Sequence, residues 1–512
     1  MANDDDVLVV GAGHNALVCA LKLAKAGRRV RVLEAKEVLG GATRTEKPFP
    51  KAPDLQQSTG AYLLGLMPPE LMAELELEVP LLRRDPHYFL PTTGEGYLLF
   101  GSDRAETKRQ FTSFFSAADW EADERLQAEL AQLREDVGPT WLKAPLSIEE
   151  TAERFVRPAL RQVFVDLCRG SVGAYLERFG FESELVKAMY AVTDGFTGLA
   201  GGWDTPGTGM NFLVHNMCRL PGADGTWMVV KGGMGTVARQ LVSRCEAAGV
   251  AFETNAPVAS IDVEEGVARG VTLADGRSLR AEVVAVGADP FQLEGLLGDA
   301  LPGALAARMG EWRRDGTTLK LNFCLESLPE FTCLPEDRGQ HRGTIHILPQ
   351  EQPLAALDAA WEAVQAGKLA EEPTIEWYIH TTLDPSIGDA RGRHSAALFV
   401  QWVPYAIEGS SWEAEEARYC EHLFEIVDRF APGTSDRVVD TFPLTPPKLE
   451  AHFGLTRGHI HHVDNSFGFA DRMPHRVGVP GVYACSAGCH PGGSVIGAAG
   501  YNAANAILED GA

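Results

Sequence analysis

A chain of 512 residues exceeds what one hydrophobic core accommodates and suits two or three domains. With 45% hydrophobic and 23% charged residues it has the make-up of a soluble globular protein, and 46 Lys and Arg against 70 Asp and Glu leave a formal charge of -24. Nucleic acid and anionic lipid surfaces are repelled by that charge, and the basic pairs Arg83-Arg84 and Arg313-Arg314 are too small to reverse it. No apolar run approaches the ~18 residues of a membrane-spanning helix, and Met1-Ala2-Asn3-Asp4-Asp5-Asp6 is the opposite of a basic signal-peptide start. The expected location is the cytoplasm, with peripheral membrane contact and oligomeric state left open. Nine cysteines without a CxxC pair suit reduced thiols. Cys485 and Cys489, the one close pair, stand in the last segment rather than beside the first nucleotide fold, which speaks against a redox-active disulfide.

The first strong pattern is VLVVGAGHNALVCALKLAKAGRRVRVLEA. Val7 to Val10 read as a buried parallel strand, the chain turns through Gly11-Ala12-Gly13, and an amphipathic helix runs to about Gly27. A second strand, Arg29 to Leu33, delivers Glu34 roughly twenty residues after the glycines, where a carboxylate meets a ribose. Gly11 allows the tight turn, Gly13 lets a pyrophosphate approach the helix amides, and Ala16 takes the third glycine position. A lone GxGxxA is weak, but strand, helix, strand and acid all fall in place, so a dinucleotide site is expected at Gly11, Gly13, His14, Asn15, Ala16, Glu34 and Ala35.

A Pro-punctuated loop, Pro48 to Pro53, then leads to Thr59-Gly60-Ala61-Tyr62 and a helix containing Leu71 to Leu77. From about 80 to 224 the nucleotide-fold pattern is lost. Asp119 to Val137 is a charged amphipathic helix, and Ile148 to Ala174 carries apolar residues at helical spacing. Gly195 to Gly209 is a glycine-rich loop without a leading strand, fit for a lid rather than a phosphate cradle, and His215 reads as a core or surface histidine. Trp227 to Val230 followed by Gly233-Met234-Gly235-Thr236-Val237-Ala238 is a second GxGxxA, which taken literally is an NAD(P)H site. No acid and glycine pair like the first follows it. Ala251 to Thr254 and Val258 to Val263 read as strands, Ala274 to Arg277 as a hairpin turn, and Glu282 to Gly287 as a buried strand.

Between 301 and 455, Thr317 to Leu325 alternates as a strand carrying Lys320, Glu376 to Thr381 and Ala396 to Val403 extend the same sheet, and Trp412 to Phe430 is an amphipathic helix. A lysine on a strand is ordinarily solvent-facing. In Arg457 to Asp464, His459 and His461 are expected to share one strand face while His462 points away, which does not make a metal set, and no metal is expected. Val482 to Ser486 is the last strand, followed by Gly488 to Val495 and a small-residue helix, Gly497 to Leu508.

The blocks GAGHNALVCALKLAKAGRRVRVLEAKEVLGGATRTE, STGAYLLGLMPPELMAELEL, KGGMGTVARQL, RGHIHHVD and CSAGCHPGGSVIGAAGYNAANA resemble the phytoene desaturase-related FAD oxidoreductases. Within them the likeness is closest to the branch typified by pyridine nucleotide-disulphide oxidoreductase domain-containing protein 2, and it spans essentially the whole chain. It implies an α/β fold with a Rossmann-type FAD-binding domain (1-65, 225-300 and 456-512) interleaved with an α+β substrate domain (66-224 and 301-455), as in amine oxidases and phytoene desaturases. Gly40-Gly41-Ala42-Thr43 before Arg44 resembles the second glycine pair of two-dinucleotide-binding-domain flavoproteins, which marks FAD rather than NAD. The resemblance places Gly60 and Ala61 toward the flavin ring, the backbone of Val258 on the adenine, and Gly488, Gly493, Ser494 and Val495 at the ribityl side. It departs at Cys489, where many flavoproteins carry an acid, so backbone amides around Gly493 to Val495 are expected instead.

It also places a lysine corresponding to Lys320 near flavin N5, holding a water, and His462 is the histidine expected in the flavin cavity. Lys320 and His462 are the candidate catalytic residues. The implied activity is hydride transfer to FAD from a C–H bond of a small, hydrophobic organic substrate, such as an isoprenoid, lipid or secondary-metabolite intermediate. A flavin amine oxidase, a redox-neutral carotenoid-type isomerase, an NAD(P)H-using reductase and a non-catalytic FAD-bound protein remain alternatives.

Overall fold

The computed structural model describes residues 5–511, so Met1 to Asp4 of the acidic start lie outside it. Strands are numbered in chain order. A five-stranded parallel sheet draws on both ends and the middle of the chain: β19 (Val482–Ala484), β13 (Val283–Val286), β1 (Val7–Val10), β2 (Val30–Leu33) and β9 (Ala251–Glu253), in that order. β1 and β13 are buried on both faces, which is why they read as unbroken apolar runs. The helices His14–Lys25, Gly235–Ala247 and Ala498–Glu509 pack together beside this sheet. Small residues set their spacing. A Cβ at Gly500 would stand 1.8 Å from the Asn15 carbonyl oxygen, and one at Gly287 would stand 2.5 Å from the Ala16 Cβ. The third glycine missing at Ala16 is thus supplied from the neighbouring strand. An antiparallel meander of β10 (Val258–Glu264), β11 (Val267–Leu273) and β12 (Ser278–Arg280) follows, with the expected hairpin turn.

The second large sheet has seven strands in the order β18 (Val438–Leu444), β14 (Thr318–Leu325), β17 (His394–Gln401), β16 (Thr374–Ile379), β15 (Thr344–Ile347), β6 (Tyr88–Pro91) and β7 (Tyr97–Phe100). Its register sorts residues by polarity. Leu319, Leu321 and Phe323, Leu398 and Val400, Ile375 and Trp377 share one face and pack on Leu423, Phe424 and Val427 of the helix Trp412–Asp428. The other face carries Thr318, Lys320 and Asn322, then Phe399 and Gln401, then Thr374, Glu376 and Tyr378, then Thr344 and His346. Those polar residues are buried as well, because a second layer covers them.

That layer is largely helical, from Arg104 to His215. The Asp119 to Val137 pattern is realised as a helix over Ala117–Val137. The stretch 148–174 is divided into Ile148–Phe155, Arg161–Arg169 and Val172–Glu177, with breaks at Pro158 and Gly170. Two expectations are corrected. Trp227 to Val230 yields only β8 (Val229–Val230), paired antiparallel with β5 (Leu81–Leu82) and not part of the parallel sheet. Arg457 to Asp464 forms no strand, because Arg457 and His462 adopt left-handed φ of 54° and 62° and the segment coils. Among the described residues no helix is long and apolar enough to cross a membrane, and all nine cysteines are buried with free thiols.

Candidate active site

A cavity of about 650 Å³ runs from the carboxyl ends of β1, β2 and β13 to the polar face of the seven-stranded sheet. Ligands of open parallel sheets bind at such strand ends. Gly11, Gly13, His14, Asn15, Ala16, Glu34, Ala35, Gly41, Ala42, Thr43, Gly60, Ala61, Val258, Ser494 and Val495 all line it. Gly13 is the helix N-cap, makes no side-chain cap bond, and a Cβ on it would meet nothing within 4 Å. The turn therefore leaves open space against the first helical amides, where an anionic phosphate is stabilised. Glu34 accepts the Ala12 N–H at 2.8 Å and the Lys36 N–H at 2.9 Å, bracing the turn from the end of β2. This donor set fits a dinucleotide.

Three residues expected at the cofactor lie outside the cavity wall. Gly40 donates its N–H to the Ala12 carbonyl (2.9 Å), and a Cβ there would stand 2.8 Å from Ala238, so it braces Gly41 from behind. Gly488 is turned against Pro290, 2.7 Å from a would-be Cβ. Gly493 gives its N–H to Asn465 Oδ1 at 2.9 Å, so that amide is committed. The Cys489 thiol points at the Ala484 carbonyl (3.5 Å) and is pushed up to about 12 by burial.

The second GxGxxA has the same spacing but no free amides. The Met234 N–H donates to the Ser58 hydroxyl (3.0 Å) and the Gly235 N–H to the Thr45 hydroxyl (2.9 Å). Thr45 and Ser58 belong to the two-stranded β3 (Thr45–Glu46) and β4 (Gln57–Ser58) hairpin. That helix start caps onto protein and leaves the NAD(P)H alternative without a phosphate cradle.

At the far end of the cavity four ionisable side chains gather, each nine-tenths or more buried: Arg84, Asp194, Lys320 and Glu376. Lys320 Nζ sits 4.4 Å from the Tyr62 ring centroid and 4.1 Å from that of Phe399, and among the described residues no carboxylate lies within 4.0 Å of it. Burial pulls its pKa down to about 7. Glu376 accepts from the Thr197 hydroxyl (3.3 Å) and from the Tyr378 hydroxyl, and burial raises it to about 7. Asp194, accepting from Asn216 Nδ2 at 3.1 Å, is likewise raised to about 7 by burial. Arg84 donates from Nε to the Trp227 carbonyl (2.9 Å) and from Nη1 to the Thr344 hydroxyl (2.7 Å), while Nη2 has no partner.

The histidines are arranged differently from the expectation. His461 and His462 both line the cavity, together with His215. His461 donates from Nε2 to the Thr197 carbonyl (2.8 Å), leaving Nδ1 as an unpartnered acceptor, and His459 pairs with Asp464 at 3.4 Å outside the wall. His215 donates from Nδ1 to the Asp194 carbonyl at 3.1 Å. Among the described residues no three His, Cys, Asp or Glu side chains converge as a metal set.

Of the far-end group the sequence marks only Lys320. Arg84 reads there as half of a small basic pair, and Asp194 and Glu376 carry no motif. The usable signal for Glu376 was a single acid inside TIEWYI, an otherwise apolar strand.

Comparison with known proteins gives these features a family. Residues 17–310 match the model described as flavin-containing amine oxidoreductase. The chain is 34% identical over 551 aligned positions to the pyridine nucleotide-disulfide oxidoreductase domain-containing protein 2 of Mus musculus, covering 99% of this chain and 93% of that one. It is 25% identical to a lycopene-forming phytoene desaturase of a Paracoccus species, covering 98% and 97%. The crystal structure of an oxidoreductase from Methanosarcina mazei shares the fold with a TM-score of 0.62 at 17% identity, over 98% of this chain and 100% of that one. With the glycine turn, the strand-end cavity and these matches together, the chain belongs to the flavin-containing amine oxidoreductase family.

Proposed function

We propose that this flavin oxidoreductase uses FAD and takes a hydride from a C–H bond of a small organic substrate, leaving a C=C or C=N bond. The supporting observation is continuity: one cavity joins the glycine turn to Lys320. In this proposal residues 1-65, 225-300 and 456-512 hold the dinucleotide, and 66-224 and 301-455 enclose the substrate. The Gly11 to Ala16 turn takes the pyrophosphate, Glu34 a ribose and Val258 the adenine. Gly41, Ala42, Thr43, Gly60, Ala61, Ser494 and Val495 flank the rest. FAD, when bound, supplies a two-electron acceptor.

Lys320 is the proton-handling group, because its amine is buried, faces the cavity and loses its charge near pH 7. It takes the substrate proton or holds the water that does. His462 lines the same cavity near His14 of the glycine turn, so in this proposal it stands on the cofactor side. Beyond the glycine turn the cavity wall sets Arg84, Asp194, Lys320 and Glu376 among the apolar and aromatic side chains of Tyr62, Tyr88, Trp227, Phe399 and Ile460. The substrate in this proposal is a small organic molecule whose apolar body lies against these rings and whose polar group meets one of the ionisable side chains.

The test is direct. Purified protein should be yellow and release FAD stoichiometrically; colourless protein that takes up no FAD overturns the proposal. In anaerobic single turnover with a bleaching substrate, Lys320→Met should slow flavin reduction about 100-fold. The wild-type rate should rise with pH through about 7, since the neutral amine is the active form. An unchanged rate in Lys320→Met removes Lys320 from the chemistry.

A further inference from the structure

The polar face of the seven-stranded sheet fixes the order of the charged groups. Lys320 on β14, Phe399 on β17 and Glu376 on β16 are direct cross-strand partners and so point to one side. Two strand spacings, about 10 Å, separate Lys320 from Glu376. Thr344, which holds Arg84, lies on β15 beyond Glu376. The cavity floor therefore has a basic group at each end and a carboxyl group between them.

Arg84 is the anomaly in this arrangement. It is a permanently charged group, 2% exposed, and its two hydrogen bonds go to neutral oxygens. Among the described residues no carboxylate lies within 4.0 Å of it, and Nη2 is unpartnered. A buried guanidinium left without an anion is costly, and a planar two-pronged donor matches a carboxylate. Glu376 and Asp194 do not discharge that role, since each is engaged by neutral donors and burial favours its protonated form. Lys320 faces only aromatic rings.

We infer that the substrate carries a carboxylate that seats against Arg84, with the carbon to be oxidised several bonds away beside Lys320. The inference rests on the flavin oxidoreductase proposal and deepens it. Carboxylate recognition sits at the β15 side, hydride loss at the β14 side, and the hydroxyls of Thr193, Thr197 and Tyr378 bridge the middle.

The probes are C3 to C8 monocarboxylates and their primary amides, titrated into oxidised holoenzyme while flavin absorbance is followed. At least one acid should perturb the spectrum saturably and bind about 10-fold or more tightly than its amide. Arg84→Met should abolish that acid-over-amide preference and Arg84→Lys should retain part of it, each read as a ratio on the flavin-loaded fraction. Amides that bind as tightly as acids across the panel, or an Arg84→Met enzyme that keeps the preference, overturn the inference alone. Protein that takes up no FAD fails the underlying proposal and this inference with it.

Discussion

Two glycine turns in this chain have the same spacing and opposite surroundings. Gly11-Ala12-Gly13-His14-Asn15-Ala16 opens a helix onto a cavity, with no cap and no neighbour where a Gly13 side chain would lie. Gly233-Met234-Gly235-Thr236-Val237-Ala238 opens a helix onto the β3–β4 hairpin, whose Thr45 and Ser58 hydroxyls take its first amides. A Cβ at Gly233 would stand 2.3 Å from the Thr45 hydroxyl, so there the glycine serves packing. An open turn and a packed turn thus differ not in sequence pattern but in what occupies the space before the helix.

That difference can be broken experimentally. Gly13→Val has the largest expected effect. Gly13 has an extended backbone (φ -67°, ψ 161°) and free space around it, so the fold loses about 1 kcal/mol or less, while flavin content falls below about one-tenth of wild type because the side chain fills the phosphate position. Equal loss of flavin and of melting temperature would place Gly13 in the packing class with Gly233. Next comes Gly287→Ala, which overpacks against Ala16 and should cost about 2–3 kcal/mol, partly restored by Ala16→Gly in a double-mutant cycle.

Gly235→Ala, with a Cβ 2.7 Å from the Thr45 backbone nitrogen, should cost about 1–2 kcal/mol in denaturant unfolding and leave the flavin content of the folded protein unchanged. Loss of flavin in that variant would give the second turn a cofactor role after all. The smallest effect is expected for Thr45→Val, about 1 kcal/mol from the orphaned Gly235 amide, measurable as a shift in the denaturation midpoint.

Stability carries its own pH signature from the far end of the cavity. Glu376 is raised by burial from its ordinary value to about 7, so its own contribution to stability falls by on the order of 3 kcal/mol as pH climbs from about 4.5 to 7, beside a loss of the same sign from Asp194. Glu376→Gln, which mimics the protonated acid, should therefore flatten that stretch of the melting-temperature profile. A parallel decline in both proteins would show that Glu376 ionises freely in the fold.

Much of the architecture was legible from local pattern. The first βαβ unit, the hairpin after β10, the strands carrying Lys320 and Glu376 and the last helix lie within a few residues of where periodicity placed them. Glycine spacing and apolar alternation are short-range signals, and they survive folding unchanged. The coil at Arg457 to Asp464 was misread because a left-handed residue such as His462 carries no compositional mark.

Local pattern along the chain settles which residues share a face within each strand and where a helix can begin. Packing between distant segments settles that the polar face of the seven-stranded sheet is covered rather than solvated, and that Arg84, Asp194, Lys320 and Glu376 meet there. It also settles which of two equal glycine turns is open. The reason is physical: periodicity reports one element against an unspecified environment, whereas burial, pKa and vacancy depend on which distant segment fills the space opposite.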